Sequence, residues 1–335
     1  MRRGSPRKRR RIWHFSSPRE EAFFQRGAFS FCRRRCCGRL VRAAVTNLIV
    51  ETALVLEQCG SVEKVGTGVF LWLAIMLVGL AVERLRPVEK GQPRSNIVLN
   101  LAYSIVRFWA IFAGAPIAAT AAAVAVGALG GGVIVLPGAG WGLFWAIPLY
   151  MLAMDLAEYL FHRAQHAWPF LWAMHSLHHS DTALNITTTT RHFWIEVAIK
   201  VLCVYPFVNL LLRPSPVVLT ANVIANYWNF VAHMNIRLSF GRFWPMLNSP
   251  QYHRVHHAAD LAYANCNFAA LFPVFDVIFR TYHRPEKDEY PASGLENGEA
   301  PSGLLEAIAW PLRRYLRIRP VPDTPDEGFK SKDLR

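Results

Sequence analysis

Five imidazoles fall between residues 162 and 179, in the strings HRAQH and HSLHH, and a second HxxHH follows about seventy residues later. Twelve histidines in 335 residues would place fewer than one in a window that short. On a helix, His162 and His166 (i, i+4) share one face, one turn apart. The sets His175, His178, His179 and His253, His256, His257 (i, i+3, i+4) do the same. A single histidine at a helix end is ordinarily solvated or a satisfied core residue. Solvation explains neither this crowding nor the repeated spacing. Eight imidazoles in three clusters can hold two metal ions with about four nitrogens each, and imidazole suits iron, zinc and copper. His14 and His283 stand outside the clusters and are given no role.

The segments that carry the clusters are bounded by long apolar runs. Val65 to Val82 is an uncharged stretch of eighteen residues, near the minimum for a spanning helix. No charged residue occurs from Phe108 to Met154, and Gly130–Gly132 with Pro137 divide that run. The expected spans are about 104–127 and 140–160. A third block, 201–233, is interrupted by Arg213-Pro214-Ser215-Pro216 and reads as a helical hairpin. Arg84, Arg86, Lys90 and Arg94 assign the 83–107 loop to the cytoplasm by the positive-inside rule. Counting spans from there puts 162–192, His233 and 248–283 on that same side. All the histidine clusters thus converge on one membrane face. The fold expected is all-α and integral to the membrane, with about four transmembrane helices and a cytoplasmic helical cap carrying a di-metal site.

The net charge is +14, but residues 1–42 alone hold fourteen Lys/Arg against Glu20 and Glu21. The rest of the chain carries 23 basic and 21 acidic side chains, so its body is not a nucleic-acid binder. The basic segment 1–42 reads as a disordered head or a non-native extension, 43–285 as the membrane-embedded catalytic domain, and 286–335 as a polar tail. Within the tail, LLEAIAWPLRRYLRIRP is expected to form an interfacial or a packing helix, with Trp310 and Tyr315 on it. The six cysteines show no zinc spacing and no disulfide framework.

The order HxxxH, HxxHH, long apolar hairpin, HxxHH resembles the integral-membrane fatty acid hydroxylase/sterol desaturase superfamily. The resemblance covers about residues 65–283. SDTALNITTTTR ending in Arg191, VAHMN with His233 and Asn235, NSPQYHRVHH, and NCNFAALFPVFDVIFRTYHRP are similar to the family's flanking elements. The resemblance implies oxygen-dependent attack on an unactivated C–H bond of a lipid at a non-haem di-iron centre. By carry-over the ligands are His162, His166, His175, His178, His179, His253, His256 and His257, with His233 as a ninth. Asp155 and Glu158, seven and four residues before His162, are candidates to orient it, and Arg191 and Asn235 for similar support. There are two departures. RHFWIE puts Phe193 where the family has a histidine, leaving His192 one place early as a possible ligand. Arg280 stands where a glycine is usual.

The reading is a membrane di-iron lipid hydroxylase acting on a fatty acyl, sterol or isoprenoid substrate. It would use a separate electron carrier and reductase, and zinc could occupy the site as purified. A desaturase on the same site is the near alternative. A non-redox histidine-bound zinc protein and a proton-relaying membrane module are the rivals from other classes. The latter predicts ionisable residues within the spans, which are nearly absent. Bacterial inner membrane and endoplasmic reticulum both remain open.

Overall fold

The computed structural model describes residues 62–317; the basic head and the last eighteen residues lie outside them. Among the described residues, three helices are long and apolar enough to cross a bilayer. These are α1 (Val62–Glu83), α2 (Arg94–Ala128) and α3 (Leu143–Ala167). Their outward faces are apolar, with Phe70, Leu71, Val78, Trp109, Ile117 and Leu149 exposed as lipid-facing side chains would be. The architecture is that of a helical integral membrane protein.

The second span begins ten residues earlier than its hydropathy indicates. Helix α2 has 35 residues, about 52 Å at 1.5 Å per residue, well beyond the ~30 Å hydrocarbon core. Its extra turns carry Asn96 and Asn100, which tie the helix to the cap. Asn100 donates to Asp181 at 2.6 Å and to Thr187 at 3.1 Å, and Asn96 reaches Asp181 and Thr182.

The hairpin forms, but not as a full span. Helix α4 (Pro169–His179) comes first in the cap, and then α5 (Glu196–Asn209) and α6 (Pro216–Asn226) make the two arms. At 14 and 11 residues, these arms reach only about 21 and 16 Å. Pro214 and Pro216 prevent a continuous helix, and Ser215 caps α6 through Val218 N–H. The tip nevertheless reaches the turn between α2 and α3. There β1 (Ile134–Val135) and β2 (Leu212–Arg213) form a two-residue parallel pair, Ile134 opposite Leu212. Tyr150, Met154, Val204, Val208 and Val218 pack into the apolar core between α3 and the hairpin.

The cap is built from short helices whose starts are written in the sequence. Ser249 caps α8 (Pro250–His256) with Pro250 at its first position, so NSPQYHRVHH is a helix N-terminus, and α7 (Trp228–Ala232) ends just before His233. Glu83, buried at the end of α1, accepts from Ile186 N–H at 2.7 Å and Asn235 N–H at 2.9 Å. Gly79 lets α1 lie directly against Ile186, where a Cβ would come within 2.1 Å of its Cδ1. Helices α10 (Leu304–Ile308) and α11 (Trp310–Arg317) close the described chain. Trp310 is buried against α4 and donates to Ser176 Oγ at 3.1 Å, while Tyr315 donates to the Phe170 carbonyl at 3.0 Å. Cys203 and Cys266 are free thiols.

Helix α9 (Val274–Phe279) ends on Arg280 in the left-handed conformation, φ 58° and ψ 39°. A glycine tolerates that geometry, whereas a side chain there costs about 1 kcal/mol. Arg280→Gly is therefore expected to raise stability by up to about 1 kcal/mol, read as a small rise in the unfolding temperature with metal content unchanged. A fall in that temperature would show that the arginine side chain makes a compensating contact.

Candidate metal centre

The structure brings all nine histidines into two adjoining groups. His162, His166, His175, His179 and His256 form one, and His178, His233, His253 and His257 the other. In each, one ring nitrogen per residue lies within 4.8 Å of all the others. The groups touch, with the His179 ring stacked on His257 at 4.4 Å and the His178 ring 4.5 Å from it. Helices α3, α4 and α8 supply eight of the nine, or the residues at their ends, and His233 follows α7.

The tautomers follow from the partners. A backbone carbonyl can only accept, so the nitrogen facing it must carry the proton. His162 Nδ1 donates to the Phe268 carbonyl at 2.7 Å, His233 Nδ1 to Asn229 at 2.6 Å and His256 Nδ1 to Cys266 at 2.8 Å. His175 Nδ1 faces the Glu196 carboxylate, also an acceptor, at 3.3 Å. Each of these rings, when neutral, turns an Nε2 lone pair inward. His162 Nε2 then meets His175 Nε2 at 3.0 Å, lone pair to lone pair. In the second group His233 Nε2 lies 3.0 Å from both His178 Nε2 and His253 Nε2, and His253 Nε2 lies 3.2 Å from His257 Nε2.

Protonating the rings would relieve this, but burial opposes it. Desolvation, followed by the neighbouring imidazoles, holds His178, His179, His253 and His257 well below the usual imidazole range. Burial pushes His256 down to about 3. Nε2 of His166, His179 and His256 is also buried with no hydrogen-bond partner. Neutral, inward-facing lone pairs without donors are what a cation requires. The residues therefore fit a metal centre.

The supporting residues act differently from the sequence expectation. Asp155 does not touch His162, because seven residues along α3 put it about 10 Å away. Its carboxylate instead accepts from Leu271 and Phe272 N–H at 2.9 and 2.8 Å. It thus steadies the loop whose Phe268 carbonyl holds His162. Glu158 accepts from Lys200 Nζ at 2.8 Å and does not orient a histidine. Buried Arg191 lies 3.4 Å from Asp181 and donates to Asn100 Oδ1, and Asn235 pairs reciprocally with the Glu89 backbone. Both lock cap segments together.

Glu196, absent from the sequence-based candidates, is the carboxylate that does orient ring nitrogens. Its Oε1 accepts from His175 Nδ1, from His192 Nδ1 at 3.0 Å and from Gln165 at 2.8 Å. Its spacing of four from His192 in RHFWIE was the available signal. His192 stacks on His178 with ring centroids 3.8 Å apart and groups with His175 and Glu196 rather than with either four- or five-histidine set.

Two cavities meet the centre. One of about 210 Å³ lies among the apolar helices and reaches His162, His175, His178, His233 and His253. The other, about 360 Å³, lies beside His166, His179 and His256, with Trp172, Asn265 and Arg314 also in its wall.

Residues 147–281 match the fatty acid hydroxylase family model, the segment that carries the nine clustered histidines and His192. That segment is a fatty acid hydroxylase domain. It is similar to an ornithine lipid hydroxylase, OlsE, of Rhizobium tropici, 27% identical over 187 residues, 56% of each chain. It is also similar to alkylglycerol monooxygenases, at 28% over 159 residues in Caenorhabditis elegans (48% of this chain, 31% of the relative). The Danio rerio enzyme is 30% identical over 151 residues (44% and 33%). The chain spans about half the length of the first relative and about a third of the others. No solved structure matches it.

Proposed function

We propose that the protein is a membrane-bound di-iron oxygenase that hydroxylates a C–H bond of a lipid. The observation that carries this reading is the set of Nε2–Nε2 separations, three of 3.0 Å and one of 3.2 Å. The five-imidazole group exceeds the four ligands of a tetrahedral structural zinc site, and imidazole suits iron as well as zinc. The named activities of the relatives, a lipid hydroxylase and monooxygenases, favour redox chemistry.

When bound, the irons supply the dioxygen activation and hydrogen abstraction that no side chain can. The balanced reaction is R–H with O2, two electrons and two protons giving R–OH and water. The nine histidines provide the binding, and Glu196, accepting from His175 Nδ1, leaves its Nε2 to face the site. The lipid approaches through the cavity among the helices. Electrons come from a separate carrier protein, for which the second cavity beside His166, His179 and His256 offers the nearer approach. Arg84, Arg86 and Lys90, on the segment joining α1 to α2, and Arg94 at the start of α2 favour a cytoplasmic orientation of the cap.

The test is incubation of iron-loaded protein in lipid nanodiscs with a lipid extract, a reductase and carrier, and isotopically labelled dioxygen. The expected product gains one labelled oxygen atom. A product that loses two hydrogens without label would replace hydroxylation by desaturation. Zinc-bound protein that iron cannot activate, with no lipid consumed, would overturn the oxygenase.

A further inference from the structure

The cavity among the helices has a lining that a hydrocarbon chain would not need. Two hydrogen-bond donors in its wall are buried without any partner, Nη1 of Arg107 and Nε1 of Trp72. Arg107 sits in the apolar helix α2 and makes no hydrogen bond or ion pair among the described residues. A guanidinium inside a membrane bundle is expensive and is found where it has a task. Of the carboxylates in the same wall, Glu158 holds Lys200 at 2.8 Å and Glu196 Oε1 holds two imidazoles and Gln165. The Glu196 charge acts on Arg107 through space and its Oε2 is unpartnered, but neither carboxylate hydrogen-bonds the arginine, whose Nη1 is left without an acceptor.

The cavity volume, about 210 Å³, accommodates roughly seven water-sized groups at ~30 Å³ each. A whole lipid does not fit; one end of it does. A terminal methyl would leave both donors unsatisfied, which is costly in a buried site. An oxyanion accepts from both. We infer that Arg107 and Trp72 form a receptor for a carboxylate or phosphate group of the substrate, so that the lipid enters polar end first. Since His175 and His178 line the same cavity, the C–H bond attacked lies within a few bonds of that group and not far along an acyl chain. The inference rests on the lipid oxygenase reading and narrows its substrates to lipids with an anionic group beside the reacting carbon.

The test measures binding, separately from turnover. Dodecyl phosphate, dodecanoate and dodecan-1-ol are titrated calorimetrically into the full-length protein in a neutral detergent. One or both anionic probes should bind about 10- to 100-fold more tightly than the alcohol, the range for one charge-assisted hydrogen-bonded contact. The stronger of the two identifies phosphate or carboxylate as the group. Arg107→Gln should abolish the preference, and exposed Arg94→Gln should keep it. Should Arg107→Gln fail to fold, Trp72→Phe, which keeps the ring and loses the donor, should reduce the preference severalfold. Equal affinities in the wild type, or a preference that survives Arg107→Gln or an intact Trp72→Phe, would overturn the receptor. The labelled-oxygen assay on the same preparation separates the two claims. Anion preference without oxygen incorporation would sink the oxygenase and leave the receptor. Incorporation remote from any polar group would do the reverse.

Discussion

Replacing His253 with alanine should remove about half of the bound metal and all detectable product. His253 Nε2 is central to its group, 3.0 Å from His233 Nε2 and 3.2 Å from His257 Nε2. Without it, His178, His233 and His257 remain, a three-ligand set that would hold an ion more weakly, weakly enough to lose it on purification. His166→Ala should empty the other group in the same way. Each variant is expected to retain about one ion per chain against two in the wild type, measured by elemental analysis of protein purified from membranes. Chelation of the wild type should lower its melting temperature more than chelation of either variant, since binding to the folded state alone adds stability. That comparison guards against mistaking unfolding for ligand loss. Two ions retained in the His253 variant would show that its group holds no metal, and the two-site arrangement would fall.

The reason one substitution should not collapse the whole cap lies in how the histidines are held. The backbone carbonyls of Phe268, Asn229 and Cys266 set three of the rings. Phe268 and Cys266 share a loop that is fixed by buried carboxylates touching no histidine, while Asn229 is held within helix α7. Asp276 accepts from Phe268 and Ala269 N–H, both at 2.9 Å, and from Thr281 Oγ1 at 2.7 Å. Asp155 holds the next two residues but one, Leu271 and Phe272. Buried Asn267 clamps the start of this stretch to Tyr252 and His283. The ring orientations are thus inherited from loop geometry that survives loss of a single imidazole.

This arrangement also explains how far the sequence could be read. The histidines were legible because helical spacing alone puts i, i+3 and i+4 on one face, and three such sets leave few alternatives to a shared site. Helix starts such as Ser249-Pro250 were legible for the same local reason. What orients the rings was not, because most of the partners are carbonyl oxygens, which every residue possesses. Asp155 lay on the His162 stripe, which pointed to a direct contact, yet its carboxylate is spent on a loop more than a hundred residues away. The full length of α2 was hidden because Arg94, Asn96 and Asn100 interrupt the apolar run of its first turns, where the helix joins the cap. The unpartnered Arg107 became visible only once Trp72 and the histidines were seen around one cavity.

Glu196 is where the cap's electrostatics meet the metal centre, and Glu196→Gln is the second substitution with a large expected effect. The carboxylate accepts from His175 and His192 at once, so it fixes the proton of both rings on Nδ1. An amide of the same shape has a single acceptor oxygen and adds an NH2 donor. With its oxygen at the Oε1 position the amide keeps both contacts but loses the negative charge that strengthens them; flipped, it turns a donor on both imidazoles, and His175 is free to place its proton on Nε2, facing His162. Loss of such an outer carboxylate ordinarily costs about 10- to 100-fold in metal affinity or activity, and that loss is expected here for the His162 group alone. Competition with a calibrated chelator should therefore release one ion early and leave the second unchanged. His192→Ala separates support from ligation. If His192 only shares the carboxylate, the variant keeps both ions and binds them nearly as tightly; loss of a full ion would make His192 a ligand in its own right. A Glu196→Gln protein with both affinities unchanged would show that the ring nitrogens are oriented by their helices alone.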